Sequence, residues 1–122
     1  MEDNKIDFVT ALKSRTKEFV LASIKLFQSL PKTDEARILG KQFLRSSSSV
    51  GANYRAACRA RSKAEFFAKL SITIEEADEA QFWLEILIES GIVTKDIKDL
   101  MKEAGEIVAI LTKARKTTSD SR

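Results

Sequence analysis

The chain has 122 residues, 43% hydrophobic and 32% charged, with a formal net charge of +3 and a pI near 9.1. That length suits one domain around a single core, and the composition excludes a disordered polymer. A lone proline, Pro31, and only four glycines exclude a turn-rich β-sandwich, so few, long helices are expected.

Residues 1–5 are polar and are expected to fray. A first helix follows over 6–29. Phe8, Val9, Leu12, Thr16, Phe19, Val20, Ser23 and Phe27 give it an inward stripe, and Lys13, Arg15, Lys17 and Lys25 face solvent. Leu30-Pro31 stops it, because proline disfavours the α conformation in the residue before it. Thr33 or Asp34 then caps a second helix over 34–60.

That second helix organises the chain. Ala36, Leu39, Phe43, Ser46, Val50, Asn53 and Ala57 recur at spacings of three and four, a seam with heptad period. Roughly opposite, Arg37, Lys41, Arg45, Arg55 and Arg59 fall within one quadrant of the helical wheel. The serines at 46–49 and Gly51 are poor helix formers, which leaves an unwound break as one reading. The preferred reading is a continuous helix, because the seam keeps its phase across the run. Small side chains there let a neighbour approach, and serine hydroxyls can bond the carbonyl four residues back. Asn53, a polar residue on the seam, is read as a buried register-setter.

Ser62, with Glu65 three residues on, has the pattern of a capping box at the start of a third helix over 63–90. Gly91 marks its end. Phe66, Leu70, Ile74, Ala77, Leu84 and Ile88 form its main stripe. Ile72, Phe82, Trp83 and Ile86 form a second apolar group, which calls for a further partner, either a neighbouring subunit or a ligand. A fourth helix over 95–116, started by Thr94 or Asp96, repeats the heptad pattern in Ile97, Leu100, Met101, Ala104, Ile107, Val108, Leu111 and Ala114. Its carboxyl end carries Lys113, Arg115 and Lys116, which suits the helix dipole. The tail over 117–122 is expected to be disordered. Four helices with short connections pack as an antiparallel up-down-up-down bundle.

Charge is sorted along the chain. Between Ala36 and Ala64 every charged residue is positive, whereas Lys69 is the one cation among seven carboxylates from Glu65 to Ser90. Folding at the corner near Arg61 sets Arg59 near Glu65, Arg45 near Asp78 and Glu79, and Arg37 near Glu85. One reading of the stripe is therefore interhelical ion pairing. The other is phosphate binding by Arg37, Lys41, Arg45, Arg55, Arg59, Arg61 and Lys63, with Arg55, Arg61 and Lys63 the strongest candidates. Aromatic interleaving for base stacking is thin, with only Tyr54 nearby.

Histidine is absent, which removes the commonest general base and metal ligand together. Glu75, Glu76, Asp78 and Glu79 flank an apolar stripe without occupying it, so they do not form a di-iron site. No catalytic residue, metal ligand or cofactor is assigned. Cys58 is the only cysteine and is read as a small core-facing residue in a reducing compartment. No apolar run reaches the ~18 residues that span a bilayer, and the amino terminus lacks a signal-peptide profile. A cytoplasmic protein without membrane contact is expected.

The central two thirds of the chain resembles the four helix bundle protein family, also called the 23S rRNA-intervening sequence proteins. The resemblance rests on Arg45-Ser46, Ser49, Gly51-Ala52-Asn53, the Ser62-x-x-Glu65-Phe66 corner, Glu75 and Glu79 with Trp83, and the turn over 30–33. It implies a bundle that assembles into a homo-oligomeric ring, a pentamer. The family is also similar to the accessory variability determinant of diversity-generating retroelements, a pentameric bundle implicated in binding nucleic acid and a reverse transcriptase. By that likeness the basic helix becomes a surface for RNA or DNA. The reading is a non-enzymatic oligomer that binds or scaffolds RNA through its second helix and assembles through Ile72, Phe82, Trp83 and Ile86. The alternative is a protein-assembly module whose charges serve ion pairs within and between subunits.

Overall fold

The computed structural model describes the backbone of residues 2–120 and the side chains of residues 7–118. Among these residues the chain forms four helices, α1 (Glu2–Ser29), α2 (Asp34–Ala57), α3 (Lys63–Glu89) and α4 (Lys98–Asp120), and no strand. Helix α1 already includes residues 2–5, where fraying was expected, and α4 runs on through residues 117–120 of the expected tail. Residues 1, 121 and 122 lie outside the described residues.

Each helix boundary has a local cause. The backbone N–H of Ala36 donates to Thr33 Oγ1 at 3.2 Å, so Thr33 caps α2, with Asp34 and Glu35 opposing the dipole. Helix α2 ends at Ala57, three residues before the expected limit, and Arg59 and Ala60 close a turn onto Ala56 and Ala57. Ser62 Oγ accepts from the N–H of Glu65 at 3.0 Å at the start of α3. After α3 the chain reverses at Gly91, whose φ of +82° is a conformation glycine adopts without steric cost. Asp96 Oδ1 accepts from the N–H of Lys98 at 2.9 Å, so α4 begins three residues later than expected.

The serine run of α2 is helical throughout. Ser46 Oγ donates to the carbonyls of Gln42 and Phe43, Ser47 to Leu44 and Ser48 to Arg45, all within 3.2 Å. Buried Thr16, Ser23 and Thr73 likewise donate to carbonyls of their own helices. Self-satisfied hydroxyls remove the penalty of placing a polar atom in a core. No buried side-chain nitrogen or oxygen among the described residues lacks a partner.

Consecutive helices pack side by side, and α1 returns to touch α4 more lightly. Their sense is antiparallel. A Cβ on Gly40 would meet Leu30 and Phe27, and one on Gly51 would meet Val20, so residue numbers rise on α2 as they fall on α1. The core runs along the bundle axis through Leu12, Phe19, Phe43, Val50, Leu70, Leu84, Ile107 and Leu111. Two expected inward residues point elsewhere. Phe8 is 48% exposed near the α1 amino end, and Ile88 is 38% exposed on the last turn of α3. Leu26, Leu30 and Leu87 occupy the core instead, since the true seam of α1 alternates Leu12, Thr16, Phe19, Ser23, Leu26 and Leu30. Asn53 is half-buried, and its amide donates to the carbonyl of Ser49 at 2.9 Å. It is thus a locally satisfied helix residue and not a buried register-setter.

Candidate nucleic-acid interface

The arginines and lysines of α2 share a quadrant of the helical wheel, yet the neighbouring helices divide them. Arg45 leans toward α3, where Nη1 donates to Glu76 at 3.1 Å and Nη2 to Glu79. The hydrogen bond to Glu76 leads the effects that raise the guanidinium pKa further. Pairing across α2 and α3 was expected at this point, with Glu76 taking the place given to Asp78. Arg37 turns back within its own helix to Asp34 at 3.2 Å, and does not reach Glu85 on α3. Both are charge-compensated.

Lys41, Arg55 and Arg59 are exposed and make no ion pair among the described residues, and Arg61 in the following turn is in the same state. Lys63 is also exposed, at the first position of α3. Of the seven cations singled out in the sequence, the structure thus assigns two to internal pairs. Four remain as an uncompensated band on the outer face of α2 and its carboxyl-terminal turn.

Arg15 departs from the expected solvent role. Nε and Nη2 donate to the two oxygens of Glu103 at 2.6 and 2.8 Å, and Nη2 also reaches Glu106 at 2.6 Å. This bidentate fork joins α1 to α4, where the helices otherwise touch least. Glu103 and Glu106, three residues apart, flank the α4 seam and so face α1.

Lys13 and Lys17, read as solvent-facing, border a groove between α1 and α2 with a volume of about 590 Å³. Arg55, Ser48, Gly51 and Ala52 line the opposite wall. A second cavity of about 550 Å³ lies where α1 meets the loop before α4, with Lys25, Lys95 and Lys98 beside Asp96 and Asp99.

Tyr54 is buried, so its ring is not displayed for stacking on a base. Burial first, and contact with Cys58 second, raise its phenol pKa well above the ordinary range. Cys58 is half-buried. Burial raises its thiol pKa, partly offset by the hydrogen bond with Tyr54 and the charge of Lys13, and so disfavours the reactive thiolate. Among the described residues no cluster of three or more metal-ligating side chains occurs.

On α3, Ile72 and Phe82 are 42% and 49% exposed, and Ile86 is half-buried. Trp83 packs partly against the core, its Nε1 donating to Glu79 at 3.3 Å and its ring meeting Phe82 edge-on at 5.0 Å. No helix among the described residues is long and apolar enough to cross a membrane.

Comparison with known proteins agrees with this architecture. No match is found among curated proteins. A solved structure from Bacteroides thetaiotaomicron VPI-5482, described as a protein with unknown function from the S23 ribosomal protein family, superposes with a TM-score of 0.82 at 33% identity. The similarity covers 88% of this chain and 97% of that one. A family model for the 23S rRNA-intervening sequence protein matches residues 11–113, which takes in the core of the bundle from Leu12 to Leu111. This chain therefore belongs to the 23S rRNA-intervening sequence protein family.

Proposed function

We propose that the protein is a non-enzymatic, oligomeric bundle that binds or scaffolds RNA through the outer face of α2. The observation that carries this reading is the band of Lys41, Arg55, Arg59 and Arg61, cations exposed and without carboxylate partners beside a helix rich in carboxylates. A bundle using its charges only for internal pairing would compensate these as it compensates Arg45. Membership of a family named for an rRNA intervening sequence supports the choice of RNA. The protein acts in a reducing compartment, the cytoplasm, where its one cysteine stays free.

Assembly in this reading uses the α3 face carrying Ile72, Phe82, Trp83 and Ile86, and the ring is a homopentamer. Phe82→Lys is the sharper probe of that face, because Trp83 also contributes to the core. Light scattering should show the Phe82→Lys particle falling to monomer mass with helicity retained. An unchanged mass rejects this interface.

The RNA reading is tested by retention of structured RNA on the protein across a salt series. Each phosphate neutralised contributes about 0.7 to 0.9 to the slope of log affinity against log salt. Lys41→Gln with Arg59→Gln should lower that slope by about 1.5 to 2. The compensated state of Arg37 and Arg45 favours a second reading, a protein-assembly module whose cations organise subunits. Absence of RNA retention at low salt selects it.

A further inference from the structure

The α1/α2 groove differs in chemistry from the cavity beside the loop before α4. Lys13 and Lys17, four residues apart and so on one face of α1, form one wall, and Arg55 stands on the other. No carboxylate lines it. The cavity at the far end of α1 has as many cations, all lysines, but sets Asp96 and Asp99 among them, so most of its charge is offset locally.

A concave wall of one sign concentrates potential over a low-dielectric floor, which a convex stripe does not. Here the floor is made of small groups. Ser48, Gly51 and Ala52 keep the α2 side shallow, and at Gly51 the two helices come so close that an added Cβ would lie 2.9 Å from Val20. The α1 wall adds hydroxyls. The hydroxyls of Thr16, Ser23 and Ser29 each donate to a carbonyl of α1, whereas that of Ser14, on the groove, makes no hydrogen bond among the described residues. Three cations and the uncommitted Ser14 hydroxyl on one trough are the donor set of a phosphate-binding site.

We infer that the groove between α1 and α2 holds phosphate groups of the bound RNA, gripped by Lys13 and Lys17 from one side and Arg55 from the other. This rests on the RNA-binding reading and moves its centre from the outer stripe of α2 to the trough beside it. Arg55 belongs to both surfaces and joins them. Lys41 and Arg59 then act at longer range, steering the strand toward the trough.

Inorganic tripolyphosphate tests the groove without RNA. Followed by backbone amide NMR shifts, it should perturb residues 13–17 and 51–55 selectively. The Lys13→Gln, Lys17→Gln and Arg55→Gln triple variant, altered only at exposed positions, should keep wild-type helicity and lose those shifts. It should also lower the salt slope of RNA binding by about 2 to 3, more than the Lys41→Gln and Arg59→Gln pair. Shifts that are absent, or scattered over all cationic surfaces, overturn the groove. So does a triple variant that binds RNA like wild type while the outer pair does not, an outcome that leaves the RNA reading in place. Selective tripolyphosphate shifts without RNA retention uphold the groove as a phosphate site and reject the RNA reading.

Discussion

The two flanks of α2 solve the problem of packing a cationic helix in opposite ways. Toward α3 the cation is matched, with Arg45 held between Glu76 and Glu79 one helical turn apart. Toward α1 it is not matched, since Arg55 looks across a groove at Lys13 and Lys17. Like charges facing each other cost little only while water screens them. That flank is therefore held by close backbone approach at Gly40 and Gly51 and not by electrostatics. The contrast teaches that one stripe of arginines can be architecture on one side and a free surface on the other. A charge count along the chain does not distinguish the two.

The comparison breaks most severely if the core shared by both flanks is hollowed. Phe43 is fully buried on α2, and Phe43→Ala should cost about 3 to 5 kcal/mol in chemical denaturation. A loss under about 1 kcal/mol would mean that α2 is not the central strut. The α1 flank alone is tested by Gly51→Leu, which forces a side chain into Val20 and should cost about 1 to 3 kcal/mol by overpacking. Neutral stability there would show that the helices do not approach as described.

A pH series addresses the buried end of α2. The folded state holds the Tyr54 proton more tightly than the unfolded chain, because burial disfavours the phenolate. Stability present below about pH 10 is then lost as pH rises beyond it. Denaturation midpoints of Tyr54→Phe should fall less steeply than wild type above that pH, and parallel curves would remove the phenol from the account. The smallest effect is expected at the matched flank. Arg45→Ala should cost under about 1 kcal/mol, as a pair this exposed is largely screened, and should leave RNA retention unchanged. A drop in RNA retention with Arg45→Ala would mean that its pairing does not remove it from the binding surface.

The bundle itself was legible because its signals are local. The phase of Phe43, Ser46, Val50 and Ala57 carried across the serine run, and the hydroxyls do bond back within the helix, Ser46 to the carbonyl four residues back and Ser46, Ser47 and Ser48 to those three back. Ser62 and Gly91 punctuate the chain where their side-chain chemistry and backbone freedom predict. Phe8 and Ile88 were misplaced because a stripe read by periodicity has no ends. Near a helix terminus the partner helix runs out, and an apolar residue in phase is left uncovered. Arg15 was misread for a related reason, as a cation in phase with solvent on α1 can still meet carboxylates on a helix 88 residues away.

Residue order by itself determined four amphipathic helices, the corner at Ser62 and the stop at Gly91, their antiparallel sequence and a cationic helix followed by an anionic one, since each depends on neighbours within a few positions. Tertiary structure alone decided which cations are spent in pairs and which stay open, because that depends on the angle at which α2 meets each flanking helix. Arg45 and Arg55 lie about 80° apart around α2, and the close packing of Gly40 and Gly51 against α1 helps set which of them faces α3 and which faces the groove.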